Sequence, residues 1–438
     1  MRTKSKYKTT TIDNCKFIFS GNLYKKFLDS NSTLVKIHDT IDFSFVNDLC
    51  EDVYVESGQH AFLPELIFRV SFIQFLKGGL SDNEIVKQCR TNLEYRYFCN
   101  LAIDDELFDD CKLSRFRKEL GAERFKKIFD KLVLKIKQRG LISKADAQYM
   151  DSFLFVADVK IVSINALLSQ AIRAVLSALN KEDKEIKEDK KNRDFELSEE
   201  EQKKRFVFLV QKAQDILSSS KELKECSIEA KKSLAVLARI VKERAEIIDE
   251  NTIRKRESSE EKDKIISVSD SDARMMGKKE HDVAPSYKSH VAMTANKFIT
   301  YTDVTLATIY DGHHSSVIVA DLKAREFTVP TAVGDTHYGD IEFRKAMAEE
   351  GTQIVAPYRK NQAMNSCLTE NIMIEAWAYN QTDDYKMHRK IRSQIEPKQG
   401  EMKNLHGMKR AKFRGLEKVR IQNFISAFVT NCKKMVAG

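Results

Sequence analysis

The sequence is poor in the residues that mark fibrous or low-complexity chains: its 438 residues include only five Pro and fifteen Gly. This scarcity excludes a collagen-like or Pro-rich low-complexity protein. No segment approaches the roughly 20 uncharged apolar residues that a membrane span needs, so we expect no membrane association. The basic start, MRTKSKYKTTTIDNCKF, lacks the apolar stretch of a secretory signal. These absences predict a cytoplasmic protein.

The eight Cys are scattered, and none forms a CxxC pair. A zinc ribbon is therefore not expected, and in a chain without an export signal the thiols should be free and mostly buried. The nine His include the pair His313 and His314, but no HExxH motif occurs. We expect these two histidines to be surface groups or satisfied polar groups rather than metal ligands.

The net charge of +9 is concentrated at the C-terminal end. Residues 386–438 hold fourteen Lys and Arg against three Glu, a local charge of +11. Apolar residues such as Phe413, Leu416 and Val419 are interleaved with these charges at helical spacing, which favours a packed helix over a solubilising tail. A basic block on a chain of mixed charge indicates a polyanion partner, most often nucleic acid.

The first third of the chain predicts an N-terminal arm, 1–50, followed by an all-helical region, 51–143. Pro64 fits the first turn of a helix, and Gly78–Gly79 fits its end. Ser81 and Glu84 then have the spacing of a capping box that begins the next helix. This arrangement is compatible with a helix-turn-helix, so the region is a candidate DNA-binding domain.

A short apolar and aromatic segment, 149–157, predicts a strand that carries an acid, Asp151. Residues 165–264 are highly charged and helical in pattern, which predicts a helical hairpin or a short coiled-coil-like insertion with a solvated stretch at 181–205. Its Leu234, Leu237 and Val241 stripe favours packing over a dimer zipper. Strands near 290–294, 299–305, 328–333 and 354–357, mixed with helices, predict an α/β domain built from 144–164 plus 265–438.

Acids at strand ends and in the basic block are the candidates for chemistry. Asp335 follows an alternating strand, and Glu396 lies within the basic block, with Glu401 as its rival. Together with Asp151, these carboxylates could surround Mg²⁺ or Mn²⁺, which prefer carboxylate and water oxygens. Such a metal site cuts phosphodiesters, and neighbouring Lys and Arg would hold the DNA backbone. By spacing alone, the favoured interpretation of each acid is an ordinary loop residue or helix cap, because the chain holds 65 Asp and Glu.

Short motifs from about residue 60 to about residue 432 point to one family. They are Phe62–Leu66, Gly78–Ile85, Tyr95–Cys99, Leu113–Lys118, Ser271–Arg274, Tyr287–His290, Gly334–Gly339, the Arg392-x3-Glu396-x6-Lys403 spacing, and Phe413–Leu416. In this order they resemble the DDE transposases of bacterial insertion sequences, in the branch with an N-terminal helical domain and the YREK-type signature.

The resemblance implies an α/β ribonuclease H-like core with a helical insertion, preceded by an all-α N-terminal domain. It implies metal-dependent DNA end cleavage and strand transfer on double-stranded transposon ends and target DNA, by a homodimer in the DNA complex. Asp151, Asp335 and Glu396 match the catalytic, metal-binding triad, with Mg²⁺ as cofactor and Mn²⁺ as the alternative. The residues expected to contact DNA are basic and lie in the C-terminal block: Arg392, Lys403, Lys409, Arg410, Lys412 and Arg414.

Some positions depart from the family pattern. Phe153 stands where the family usually has Thr, and Arg389 stands where the signature has Tyr. A decayed transposase, or a helix-turn-helix DNA-binding protein without catalytic activity, is therefore the alternative. If one helix carries the signature, then Arg392, Glu396 and Lys403 share a face of it; Pro397 either kinks that helix or begins it.

Overall fold

The computed structural model describes residues 20, 22–53, 62–189, 194–220, 226–248, 252–256, 263–277, 282–358 and 371–437. In the described part of the first 143 residues all regular structure is helical, as predicted for 51–143. The range 1–50, predicted as an arm, also contributes helices, because residues such as Leu34, Ile37 and Phe43 pack into the main core. The helices are α1 (Thr33–Thr40), α2 (Phe45–Asp48), α3 (Pro64–Leu76), α4 (Asp82–Thr91), α5 (Leu93–Phe98) and α6 (Cys111–Gln138).

The helix boundaries follow local signals in the sequence. Helix α3 begins at Pro64, whose missing N–H costs nothing in a first turn. It ends before Gly78 and Gly79, whose φ angles of +82° and +76° favour glycine. Helix α4 begins after Ser81, whose hydroxyl accepts a hydrogen bond from the Glu84 N–H at 3.2 Å. Two helices joined by a short glycine turn are thus present where the sequence was compatible with a helix-turn-helix, and a DNA-binding role for them stays a prediction.

The strand predicted around Asp151 is present, and a separate helical unit follows it. These elements are β1 (Gln148–Val156), α7 (Ile164–Ala178), α8 (Lys184–Asp189), α9 (Glu199–Ser220), α10 (Ile228–Arg244), β2 (Ala245–Ile247) and β3 (Ile253–Lys255).

The insertion has a hydrophobic core of its own, separate from the main core. Leu237 and Val241 are buried in it, so the apolar stripe of α10 packs within the chain, as predicted. Most described residues of the stretch 181–205 are exposed, as expected for a solvated segment, but Asp189 and Arg205 are buried. The Arg205 guanidinium lies 2.7 Å from the Asp189 carboxylate and 2.6 Å from that of Asp194, so opposite charges make an ordered contact inside the charged sequence.

The remaining elements build the rest of an α/β domain. They are β4 (Arg274–Met276), β5 (Ala284–Met293), β6 (Ile299–Leu306), α11 (Asp311–Ala324), β7 (Thr331–Val333), α12 (Ile341–Glu349), β8 (Gln353–Val355), α13 (Asn371–Tyr379), α14 (Asp383–Arg392), α15 (Ile395–Leu405) and α16 (Leu416–Val436).

Six strands form one mixed sheet in the order β4-β5-β1-β7-β8, with β6 also paired to β5. Strand β5 is antiparallel to β1, β4 and β6, whereas β1, β7 and β8 run parallel. Helices follow β1, β6, β7 and β8, whereas β4, β5 and β6 succeed one another without a helix between them. A helical N-terminal region followed by a mixed sheet of this kind is compatible with a ribonuclease H-like core.

The C-terminal helix α16 joins the helical region to the sheet. The ring of Phe428 on α16 lies 5.5 Å from that of Phe43, 5.0 Å from that of Phe68 and 6.1 Å from that of Phe72. On another face of α16, the Asn423 amide donates to Thr302 of β6 at 2.7 Å. One continuous hydrophobic core therefore spans both sides of the predicted 143/144 boundary; the domain boundaries themselves stay predictions.

No helix within the described ranges is long and apolar enough to cross a membrane.

Candidate active site

Two of the three predicted acids are brought together by strand register. Tyr149 of β1 pairs with Val333 of β7 in a parallel ladder. Two residues further along each strand direction come Asp151, within β1, and Asp335, just beyond the end of β7, so this register brings the two acids close together. Since side chains alternate along a strand, Asp151 shares its face of β1 with Tyr149 and Phe153.

The loop after β7 fixes the Asp335 carboxylate. Its Oδ1 accepts a hydrogen bond from the His337 N–H at 2.8 Å, which caps a short turn. The turn carries Tyr338 back beneath Gly334, and the Tyr338 ring lies so close that a Cβ on Gly334 would overlap it. Glycine before Asp335 is therefore required by close packing.

The variant Gly334→Ala tests this requirement. The added methyl group must displace the fully buried Tyr338 ring or the Asp335 loop, so we expect a loss of about 1–3 kcal/mol in unfolding free energy. Chemical denaturation measures that loss. As a control, Gly400→Ala adds a methyl group that meets no atom within 4 Å and should leave stability unchanged or raise it; equal losses in both variants would contradict the packing argument.

Arg392 joins the two acids. Its Nη2 atom lies 3.4 Å from Asp151 Oδ1 and 4.0 Å from Asp335 Oδ2. Helix α14, which ends at Arg392, is anchored on β1 by His388, whose Nδ1 lies 2.9 Å from the Tyr149 hydroxyl. One guanidinium thus neutralises two carboxylates that would otherwise repel each other.

The signature, for which the sequence left one kinked helix or a later helix start open, is divided between two helices. Helix α14 ends at Arg392 and α15 begins at Ile395. Pro397 lies in the first turn of α15, where its missing N–H costs no hydrogen bond. Of the two sequence alternatives, the late start is the one observed. Arg392 is detached from the helix of Glu396 and Lys403, yet it still reaches the acids because α14 packs on β1.

Lys403 and Glu396 occupy different surroundings on α15. The Lys403 Nζ lies 4.7 Å from the centre of the Phe153 ring, on the face of β1 that carries Asp151. Glu396 is exposed in the first turn. Among the described residues, no group of three His, Cys, Asp or Glu side chains is placed to hold a metal ion. The structure thus assembles Asp151, Asp335 and Arg392, and the role of Glu396 stays a prediction.

The alternative candidate for the third acid, Glu401, is largely buried and paired with neighbouring side chains. Burial raises its pKa, but hydrogen bonds from His406, Lys398 and Lys433 outweigh burial and hold the pKa well below its ordinary value. The two Lys–Glu401 distances are both 2.8 Å. A carboxylate so fully paired serves packing between α15 and α16, which favours Glu396 as the third acid.

A buried polar cluster that sequence reasoning missed lies behind the two acids. Lys288 of β5 pairs with Asp311 of α11 at 3.0 Å, and the His290 ring contacts the Thr305 hydroxyl at 2.9 Å. Burial lowers the pKa of His290 well below its ordinary value, so this ring is neutral. The helix that begins at Asp311 gives no capping signal at its start, because the residue before it, Tyr310, makes no side-chain cap.

Tyr338 is completely buried near these groups. Burial, followed by the negative charges of Asp311, Asp151 and Asp335, raises the pKa of its hydroxyl well above the ordinary value. The hydroxyl has no hydrogen-bond partner within the described part of the chain. It is therefore a neutral donor held beside the carboxylates.

The remaining histidines and the sequence around residue 272 have structural partners. His314 is buried, and its Nε2 lies 3.0 Å from the Tyr301 hydroxyl, whereas His313 is exposed, as expected for a satisfied group and a surface group. Asp272 accepts the Leu416 N–H at 2.9 Å at the start of α16. The Arg274 guanidinium is buried against Asp263. These contacts make the Ser271–Arg274 segment a structural connection.

The basic loop, residues 409–414, lies at the carboxyl end of β1. The Ala411 N–H donates to the Val156 carbonyl at 2.7 Å, so the loop continues the sheet beyond the strand that carries Asp151. Arg410 and Arg414 both reach the Asp158 carboxylate, at 3.1 and 3.2 Å. Lys409 and Lys412 are also exposed, although the Lys412 side chain runs alongside Gly79. The exposed basic loop thus lies at the end of the strand that carries Asp151, five residues beyond that acid.

Free thiols account for the cysteines as predicted. Cys50, Cys89, Cys99 and Cys432 are buried and unpaired, whereas Cys111 is exposed and Cys226 is partly so. Cys15 and Cys367 lie outside the described residues.

A mixed sheet that brings two carboxylates together, in a chain with a basic C-terminal block, is compatible with a nucleic-acid-processing protein. Comparison with family models agrees: residues 22–119 match the model described as "Transposase domain (DUF772)" and residues 242–432 match the "Transposase DDE domain". The chain belongs to the DDE transposases of the insertion-sequence type. Comparison with curated proteins and with solved structures gives no match.

The matched ranges include most of the site. Asp335, Arg392, Glu396 and Lys403 fall within the second range, whereas Asp151 falls between the two. The insertion, 165–264, separates Asp151 from the rest of its sheet along the chain, and Asp151 lies in the unmatched range between the two family models. The assignment of Asp151 therefore depends on its place on β1 beside Asp335.

Proposed function

We propose that this chain catalyses metal-dependent DNA end cleavage and strand transfer on double-stranded insertion-sequence ends, through a ribonuclease H-like core. The observation that carries the proposal is the pairing of Asp151 and Asp335 across parallel strands, with both carboxylates within 4.0 Å of one cationic nitrogen. An exposed basic loop, residues 409–414, lies at the carboxyl end of β1, the strand that carries Asp151. This arrangement combines a cation site with a surface for a polyanion.

Two of the three predicted metal ligands, Asp151 and Asp335, are placed to share one divalent cation. The Arg392 nitrogen shows that the Asp151 and Asp335 carboxylates face a common positive charge, and carboxylate oxygens are the ligands that Mg²⁺ and Mn²⁺ prefer. Asp151 and Asp335 would hold the metal, with Glu396 as the proposed third ligand. When bound, the metal supplies activation of the attacking oxygen and stabilisation of the leaving oxygen.

The other residues of the site have binding and positioning roles in this proposal. Tyr338 stays neutral and fixes the Asp335 loop from below. Lys403, held over Phe153, offers a positive charge to a phosphate beside Asp151. The exposed side chains of the basic loop then carry the DNA backbone away from the acids. The alternative, a decayed transposase that binds DNA without cutting it, predicts the same surface but no cleavage.

In vitro cleavage tests the proposal. The full chain is incubated with Mg²⁺ and a duplex of the DNA that flanks its coding sequence. Nicks at one position at each end, dependent on Mg²⁺, are expected, and analysis of the complex should show two chains. DNA binding without any cleavage by the wild-type chain would favour the decayed alternative.

The basic loop leads to a prediction on salt dependence. Lys409 has no ion-pair partner within the described residues, so its full charge is available to a phosphate. We expect Lys409→Gln to reduce the slope of log K against log salt by about 0.9, equally for different DNA sequences. Arg414→Gln should change the slope less, because Asp158 already neutralises that side chain in part. Fluorescence anisotropy across a salt series measures both slopes.

The control is Lys232→Gln, which removes an exposed lysine of α10 in the insertion. We expect it to leave the slope unchanged. The loop would be excluded as the DNA-contacting surface if Lys409→Gln and Lys232→Gln gave the same slope as the wild-type chain.

A further inference from the structure

Arg392 occupies the position between the two carboxylates that a cation cofactor would need. Its side chain is only 13% exposed, and its Nη2 contacts both Asp151 and Asp335. A divalent cation binds carboxylate oxygens at about 2.1–2.6 Å. It would therefore enter the same space, and two positive centres cannot share it without strong repulsion.

The contacts between the Arg392 guanidinium and the two carboxylates are weak, although the side chain is largely buried. The 3.4 and 4.0 Å contacts are longer than charge-assisted hydrogen bonds, which are about 2.8 Å. The Nε–H is buried and has no hydrogen-bond partner among the described residues. A guanidinium with unused donors gains more from a group that accepts two parallel hydrogen bonds, and a phosphate is such a group.

Arg392 is also able to move without disturbing the helix that carries it. It is the last residue of α14, and α15 begins three residues later. The anchor of α14 on β1 is His388, one turn earlier. Its side chain can therefore turn away from the carboxylates while α14 stays in place.

From these observations we propose that Arg392 is an internal counter-ion that closes the metal site until a DNA phosphate draws the guanidinium away. Metal binding and DNA binding are then coupled, each strengthening the other, because both require Arg392 to leave the acids. This inference rests on the proposed function. It assigns Arg392 a second role besides DNA contact: it keeps the site from holding metal in the absence of substrate.

Calorimetric titration of the full chain with Mn²⁺ tests the coupling, with and without a duplex of the flanking DNA. For the wild-type chain, DNA should tighten Mn²⁺ binding by about tenfold or more, within the usual range of coupling between sites. For Arg392→Gln, Mn²⁺ should bind tightly without DNA, and DNA should change its affinity little. Arg392→Lys, which keeps a cation at this position, should resemble the wild-type chain.

The control is Arg389→Gln, which removes an exposed arginine of the same helix and should leave the coupling intact. Thermal unfolding gives a second readout: Mn²⁺ alone should raise the melting temperature of Arg392→Gln more than that of the wild-type chain. The counter-ion role of Arg392 is wrong if Arg392→Gln binds Mn²⁺ no more tightly than the wild-type chain while Asp335→Asn abolishes Mn²⁺ binding. In that case the proposed function still stands. If Mn²⁺ binds neither the wild-type chain nor any variant, with or without DNA, the proposed function fails together with the counter-ion role of Arg392.

Discussion

Asp335→Asn is expected to reduce Mg²⁺-dependent DNA cleavage by about 10³-fold or more, the scale on which rates fall when a group that stabilises developing charge is removed. The carboxylate charge is lost, so the cation site loses one of its two best-placed ligands. The fold should survive, because an Asn side-chain oxygen can still accept the His337 N–H that Asp335 accepts at 2.8 Å. Cleavage of an end-labelled duplex measures the rate, and thermal unfolding checks the fold.

Asp340→Asn is the matched control. Asp340 lies five residues away and also caps a turn, accepting the Glu342 N–H at 3.1 Å. We expect this variant to cleave at the wild-type rate with the same melting temperature. Wild-type cleavage by Asp335→Asn would remove Asp335 from the site, and equal losses in both variants would indicate a structural effect of the loop.

Sequence reasoning was able to predict the parts of this site that depend on local pattern. The apolar run around Asp151 indicated a strand, and the alternation before Asp335 indicated another, because both patterns are local. That the two strands lie side by side and parallel is a long-range fact. From the sequence, this parallel arrangement was supported only by the family resemblance. In the structure, the Tyr149–Val333 pairing shows it directly.

The parts that sequence could not predict depend on contacts between distant segments. Lys288 and Asp311 are 23 positions apart and pair only because α11 packs on the sheet. The division of the signature between α14 and α15 was likewise left open, since Pro397 permits both a kink and a helix start. The choice between Glu396 and Glu401 as the third acid depended on the contacts of Glu401 with distant residues such as Lys433 of α16.

The position of α16 leads to the second large expected effect, on stability. Phe428 is 1% exposed, and its ring contacts Phe43, Phe68 and Phe72 of the helical region. The same helix binds the sheet through Asn423. Because this helix packs against both the N-terminal helices and the sheet within one continuous core, we expect the two regions to unfold together. Phe428→Ala should then lower the free energy of unfolding by about 3–5 kcal/mol.

Denaturant unfolding monitored by hydrogen exchange measures this loss and shows which segments unfold together. In Phe428→Ala, exchange should quicken in α3 and in β5 alike, although the two lie on opposite sides of α16. Leu209→Ala is the comparison, since Leu209 is fully buried in the separate core of the insertion. It should quicken exchange in α7, α9 and α10 while β5 keeps its protection. Faster exchange in α3 alone after Phe428→Ala would show that the helical region is an independent unit, and the shared core would then carry no cooperativity.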